Sequence, residues 1–358
     1  MDYWDLFLYL LLWYISLPLQ NLKKQKITIH DISKALKIDS STVSRALNDS
    51  SRVSLKTKQK ILDKAEELGY QRNILASNLR TNKTNTIGVI VPRISRSFFS
   101  SVISGIEDTA QNSGYNVIIC QSFESFEREK KIMNTLLSNR VDGVLISISM
   151  QTTSFDYLKP YLDYGGPIVF YDRPCSFENC SSISVNDYKA SYTVTEHLIQ
   201  SGCKNIVHFA GPQIIDLYKN RKQGYVDAII NNGLEFKESY CFESKLAEED
   251  GVAFAKKIIS MENIDGVYSS NDTAAIGAMQ YLKFMGVKIP EDIAVAGFNN
   301  DPISSVIEPG LTTINQPDFE MGKIAANMLI EQIKNETTNK ESKVLDVELI
   351  IRNSSQKN

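Results

Sequence analysis

Ser41, Thr42, Ser44, Arg45 and Asn48 crowd into eight residues near the start of the chain, within DSSTVSRALNDSSRV, residues 39–53. Short hydroxyl side chains permit close approach to a nucleic-acid groove, while an arginine and an asparagine beside them can reach phosphate oxygens or base edges. That chemistry is polyanion recognition, and it requires a scaffold that turns these side chains to one side. Val43, Ala46 and Leu47 recur at helical spacing and supply the inward face. Ser40 or Ser41 is placed to cap this helix. Upstream, ITIHDISKALKI puts Ile29, Ile32, Ala35 and Leu36 on one helical face, with Thr28 as N-cap and Lys37-Ile38-Asp39 as a short turn. Downstream, a third helix over roughly 55–68 turns Ile61, Leu62, Ala65 and Leu68 inward and ends at Gly69. Two amphipathic helices with a turn are common, so the pattern alone is weakly specific.

The charge distribution points the same way. The 358 residues carry a net charge of −3, but residues 21–83 hold 14 Lys/Arg against 6 Asp/Glu, and the rest is acidic. A small basic module therefore precedes a large acidic body, which suits a polyanion-binding head on a body with no general attraction for polyanions. The five cysteines form no CxxC pair, which suggests a reducing compartment and argues against a structural zinc site. No metal is expected.

Residues 1–24 form an apolar N-terminal extension, whose stretch 6–19 is apolar and aromatic. Asp2 and Asp5 stand where a secretory signal would want lysine or arginine. Fourteen residues also fall short of the roughly 20 needed to span a bilayer. A membrane-associating segment, an extension folded on the body, and residues preceding a later translation start all remain open, the last being favoured. No clear membrane partner follows, and a cytoplasmic location is expected.

From residue 84 the pattern alternates between β-branched runs and helices. Strands are expected at Thr86–Val91, Tyr115–Cys120, Val144–Ser147, Pro167–Tyr171, Ile206–Ala210, Gly266–Ser269 and Ile293–Ala296, with helices at Ile103–Asn112 and Glu127–Asn139. Near-continuous apolar strands suit a parallel sheet covered on both faces. No Gly-x-Gly-x-x-Gly or Walker loop is present, so no nucleotide cofactor is expected.

Residues 51–92, SRVSLKTKQKILDKAEELGYQRNILASNLRTNKTNTIGVIVP, continue the helical module into the first strand without a large gap. Together with NRVDGVLI, FAGP followed by Arg221, SSNDTAAIGAMQYLKFMGVKIPEDIAVAGFNND and PGLTTINQP, they make the chain resemble the LacI/GalR family of bacterial transcription regulators from about residue 27 to 355. The resemblance implies a three-helix helix-turn-helix DNA-binding domain at 25–72, a hinge helix and linker at 73–83, and a two-lobed α/β body like periplasmic sugar-binding proteins at 84–358. Lobe 1 would span about 84–186 and 315–345, and lobe 2 about 187–314 and 346–358.

On that resemblance, Ser40 and Ser41 occupy the main sequence-reading positions. Thr42, Ser44, Arg45 and Asn48 contact bases or phosphates, Thr28, Ser54 and Thr57 contact the backbone, and Arg52 adds a contact. Asn73 opens the hinge helix, in which Leu79 would wedge into the minor groove with Arg80 beside it. A homodimer would read palindromic double-stranded operator DNA. The effector, a sugar or sugar derivative, would sit between the lobes at the C-terminal ends of the strands. Phe98 and Phe99 match pocket-wall positions, and Arg221 could grip hydroxyls or a carboxylate with paired donors. Asn271, Asp272, Asp172, Arg173, Ile215 and Leu217 complete the candidates, although Asp272 equally fits a structural N-cap and Asp172-Arg173 a salt-bridged loop. Asn299 stands where many relatives have aspartate, and Asn186 replaces another frequent aspartate, with Asp187 next. These departures leave the effector's identity open.

Two other classes compete. A secreted or membrane-tethered sugar receptor would explain the body but leave residues 27–80 without a purpose. An enzyme would have Asp172, Asp187, Asp272 and Glu291 available, yet no nucleophile shows an activating base. No catalytic residue is therefore assigned.

Overall fold

A computed structural model describes residues 27–70, 83–175, 177, 180–336 and 340–357. The chain divides into two compact units, residues 1–81 and 82–358. The hinge candidates Asn73, Leu79 and Arg80 and the apolar stretch 6–19 lie outside the described residues. Among the described residues, no helix is long and apolar enough to cross a membrane.

In the first unit, α1 (Ile29–Leu36), α2 (Ser40–Leu47) and α3 (Leu55–Glu67) enclose a core of Ile32, Val43, Ala46, Val53, Ile61 and Ala65. Two residues expected inward are exposed: Ala35 and Leu62, the latter 46% accessible. Each is one position from a core contact, about 100° around the helix, and so small a bundle takes only a narrow stripe from each helix. The cap of α2 is Asp39 rather than either serine, with its carboxylate accepting from the Ser41 N–H at 3.5 Å. Thr28 does precede α1, but it is the donor: Asp31 reaches back to accept its N–H at 2.8 Å and its hydroxyl at 2.7 Å. Ser54 caps α3, accepting from the Thr57 N–H at 3.3 Å.

The second unit holds two six-stranded sheets. The first runs β11-β5-β4-β3-β1-β2, built from β1 (Thr86–Val91), β2 (Asn116–Gln121), β3 (Gly143–Ile146), β4 (Ile168–Tyr171), β5 (Ser181–Val185) and β11 (Ser342–Leu345). Its pairings are all parallel. The second runs β12-β10-β9-β8-β6-β7, from β6 (Ile206–Ala210), β7 (Cys241–Glu243), β8 (Gly266–Ser269), β9 (Ala294–Asn299), β10 (Thr312–Asn315) and β12 (Glu348–Ile350). Only β12 is antiparallel to its neighbour. The stretch 342–350 thus serves both sheets in turn. This is the expected two-lobed α/β architecture.

Alternation on β1 explains its unbroken apolar run. Ile87, Val89 and Val91 enter one apolar cluster and Ile90 another, so both faces are covered. β2 differs, because it ends the sheet and leaves Ile118 and Ile119 partly exposed. The helix after β1, α4 (Ser97–Asn112), starts six residues before the expected Ile103. Phe98, Phe99, Val102, Ile103 and Ile106 form its buried stripe, which moves both phenylalanines from a loop into a first turn. α4 packs on α11 (Asp318–Asn335) through Gly105 and Gly322, where any Cβ would strike the Phe319 or Val102 carbonyl.

Candidate functional site

Two sites emerge, one in each unit. On α2, Ser41, Arg45 and Asn48 are exposed, while Ser40, Thr42 and Ser44 are half-buried and Val43 and Ala46 buried. Because Asp39 does the capping, both serines are left as the first two helical residues. Ser40 Oγ lies 3.1 Å from His30 Nδ1. Arg45 has no side-chain partner among the described residues, so its guanidinium is available to an external anion. The Asn48 amide donates to the Ser44 carbonyl at 2.7 Å. Arg52 is exposed on the following loop. That loop is pinned by Lys58, whose ammonium meets the Asp49 carboxylate at 2.6 Å and the Asp49 carbonyl at 3.1 Å. Ser54 and Thr57 share a hydroxyl contact of 2.9 Å at the start of α3.

The second unit contains a cavity of about 540 Å³. Its walls come from the C-terminal ends of strands in both sheets and from the helices that follow, the crevice where α/β sheets bind ligands. Phe98 and Phe99 form one wall, with ring centroids 5.2 Å apart and edge to face. Leu217 and Tyr218, in the first turn of α8 (Asp216–Asn231), form part of another. Arg221 lines it from the same helix.

Both inner arginines are buried and engaged. Arg173 grips Glu124 through two nitrogens at 2.9 and 3.0 Å and donates to the Ile148 carbonyl at 2.6 Å. Its Nε stands 3.6 Å from Asp172 and has no hydrogen-bond partner. Burial pushes Glu124 up, but the charge and hydrogen bonds of Arg173 outweigh it and hold the carboxyl below its usual range. Asp172 sits at φ +64° and is pushed up by burial, with Arg173 and Arg221 opposing. Arg221 donates Nε to Asp187 at 2.8 Å and Nη1 to the Ser270 carbonyl at 2.6 Å, and its guanidinium lies 3.4 Å from the Phe298 ring centroid. Burial pushes Asp187 up to about 6 against the pull of Arg221. Arg221 is held in place by Asp187 and the Ser270 carbonyl.

Asn299 ends β9 at φ +118° and lines the cavity, its Oδ1 accepting from Gln316 at 2.8 Å. Asn271 also lines it, as the N-cap of α10 (Asp272–Phe284), but both ends of its amide are used, by the Ala274 N–H and the Leu246 carbonyl. Two candidates lie outside the wall. Ile215 is buried at the N-cap of α8. Asp272 is fully buried and accepts from Thr313, Ser304 and the Asp301 N–H at 2.6–2.8 Å. Its carboxylate is consumed in tying α10 to β10 and the 301–304 turn, which leaves it nothing to offer a ligand.

Sequence reasoning missed several lining residues. Tyr218 lies three residues before Arg221, so helical spacing could have placed it on the same face. Glu124 and Lys245 carried no signal, because each stands on a loop after an edge strand. Arg93 and Arg96 flank the β1–α4 loop near Phe98, which was a visible cue.

The chain is similar to known proteins along nearly its whole length. Residues 28–73 match the family described as bacterial regulatory proteins, lacI family, and residues 84–353 match periplasmic binding proteins and sugar binding domain of LacI family. The ribose operon repressor of Halalkalibacterium halodurans is 30% identical over 92% of this chain and 97% of its own. The HTH-type transcriptional repressor CytR of Escherichia coli is 31% identical over 93% and 98%. Among solved structures, a CelR–cellobiose complex has 26% identity and TM-score 0.69, covering 92% of this chain and all of that one. The lac repressor dimer bound to operator and an anti-inducer has TM-score 0.81 at 23% identity, over 92% and 99%, and so shares the fold. The basic three-helix head, the paired sheets and the cavity between their strand ends accordingly have one explanation: the chain belongs to the LacI family of bacterial transcription regulators.

Proposed function

We propose that this regulator is a dimeric repressor that reads a palindromic operator through α2 and the hinge residues, and that a sugar or sugar derivative in the cavity controls its affinity for DNA. The observation that carries this reading is one chain with an unpartnered Arg45 on an exposed helix face and a cavity lined by phenylalanine rings and arginine donors. Aromatic faces suit the apolar side of a pyranose or furanose, and guanidinium donors suit its hydroxyls. Relatives support the ligand class: one neighbour is a complex with cellobiose, and another, 31% identical with TM-score 0.67 over 76% of this chain, a complex with D-xylulofuranose.

The mechanism is linkage. Ligand contacts from both lobes favour one lobe arrangement, and DNA affinity shifts only as far as the ligand's preference between arrangements allows. The paired carboxylates and arginines of the cavity bind and orient rather than turn over a substrate. A cytoplasmic location belongs to the same reading. Selection of bound duplexes from a random pool, followed by fluorescence anisotropy in rising salt, tests it. A selected palindrome should bind at least 10³-fold above random duplex, and Leu79→Ala should weaken that binding and reduce bending. No enrichment over random DNA, with or without candidate sugars, would sink it.

A further inference from the structure

We infer that the ligand of the cavity carries an anionic group, a phosphate ester or a carboxylate, on a small polyol frame. The inference rests on the proposed effector role of this cavity and narrows its chemistry.

Two helices begin at the cavity without a side-chain cap. The N-cap residues of α4 and α8 are Arg96 and Ile215, neither of which offers an acceptor, and only α8 carries an acidic residue, Asp216, in its first turn. Phe98 and Phe99, and Leu217 and Tyr218, bring those first turns to the cavity wall, whereas α9 (Glu248–Ile259) starts with three acidic residues and has Asp250 accepting from the Ala247 N–H at 2.9 Å. By contrast, α5 (Phe126–Ser138) and α10 cap themselves with Ser125 and Asn271. Uncapped first turns present unsatisfied N–H groups and the positive end of the helix dipole. An arginine at such an N-cap is electrostatically unfavourable unless a negative charge is supplied.

The side chains add positive charge. Arg93, Arg96 and Lys245 line the cavity, and none is within ion-pair distance of a carboxylate among the described residues. Asp301 is near Arg96 but forms no ion pair with it. The lining carboxylates Glu124 and Asp172 are already faced by Arg173, and Glu249 stands exposed on α9. Deeper in, Arg173 is 96% buried, and its Nε donor has no acceptor. The guanidinium as a whole is matched by Glu124, the Ile148 carbonyl and Asp172, so an incoming anion would meet Arg93, Arg96 and Lys245 first, and a phosphate or carboxylate oxygen is the strongest acceptor a small ligand carries.

Arg96 also links binding to closure. It reaches from the β1–α4 loop to the Thr273 hydroxyl in the first turn of α10, spanning the two lobes. An oxyanion at Arg96 would contact both sides of the cleft at once.

Calorimetric titration of the full-length protein tests this with matched probes: ribose and ribose 5-phosphate, glucose with glucose 6-phosphate and gluconate, and inorganic phosphate. The anionic member of at least one pair should bind at least tenfold tighter than its neutral parent. The phosphate and carboxylate arms identify which group is recognised. In an Arg93→Ala/Arg96→Ala variant that melts like the wild type, the anionic-to-neutral affinity ratio should fall at least tenfold. Thr273→Ala, which removes the cross-lobe bond but keeps the charge, should preserve that ratio; its collapse there would make Arg96 merely structural and overturn the inference. Equal affinity for neutral and anionic partners would overturn it while leaving the effector role standing. Absence of binding by every anionic probe would also overturn it. Tight binding of both forms with no change in Arg221→Lys would instead count against the cavity as the effector site.

Discussion

The two units use arginine in opposite ways. On the head, Arg45 and Arg52 are exposed, and the acidic neighbours are committed elsewhere: Asp31 to the start of α1, Asp39 to that of α2 and Asp49 to the Lys58 ammonium. In the body, Arg173 and Arg221 are nearly inaccessible and locked to Glu124 and Asp187. A surface that meets a polyanion can display charge cheaply, because water solvates it until the partner arrives. A cavity that encloses a small ligand must bury its charges, and burial demands countercharges. Function and folding are therefore separable in the head and coupled in the body.

The largest test of that contrast is Arg221→Ala. It strands the buried Asp187 carboxylate and should destabilise the body by about 3–5 kcal/mol, seen as a lower urea midpoint of the body transition. An unchanged midpoint would mean that Arg221 is as dispensable to folding as a surface arginine.

A second difference is in pH. In the head, the Thr28 hydrogen bonds hold Asp31 below its usual pKa, and Lys58 does the same for Asp49. Their stabilisation is present above about pH 4 and lost as pH falls through the lowered values. Asp187 runs the other way: its folded pKa is raised to about 6, chiefly by burial. It contributes stability below its unfolded value of 3.8 that is lost as pH rises through about 6. Relative to Asp187→Asn, the wild-type body should gain stability as pH falls from 7 to 4, by roughly 2–3 kcal/mol at most. A difference flat across that window would show that Arg221 cancels the burial effect.

Smaller again is Arg45→Ala. Specific operator affinity should fall about tenfold, ~1.4 kcal/mol, with the head's thermal transition unmoved. If the substitution also melts the head, Arg45 is structural in the way Arg221 is.

The same contrast explains what could be read from sequence. The head's candidates follow from helical spacing, since i, i+3 and i+4 fix which side chains share a face; Val43 and Ala46 inside imply Arg45 outside. Spacing failed there only at Ala35 and Leu62, one position off the narrow stripe, and at the cap, where Asp39 outcompeted two serines. The body's strands were visible as apolar runs, and Phe98, Phe99 and Arg221 by resemblance. Their ion-pair partners were not, because Glu124 meets Arg173 across 49 residues and Asp187 meets Arg221 across 34. For Asp272 the sequence left ligand contact and a structural role equally open for the same reason: Thr313, Ser304 and Asp301 come to it only through the tertiary fold.

The smallest predicted effect separates capping from recognition at a residue that serves both. Ser54 caps α3 and is also a candidate phosphate contact. Ser54→Ala removes the acceptor for the Thr57 N–H and should lower head stability by about 1 kcal/mol. Ser54→Asp restores an acceptor and adds favourable charge at the helix start, so stability should return. Its negative charge would then face DNA phosphates, and operator affinity should drop below that of Ser54→Ala. Calorimetry of the head transition and anisotropy with operator distinguish the two roles. If the aspartate variant binds DNA as tightly as wild type, Ser54 does no more than cap the helix.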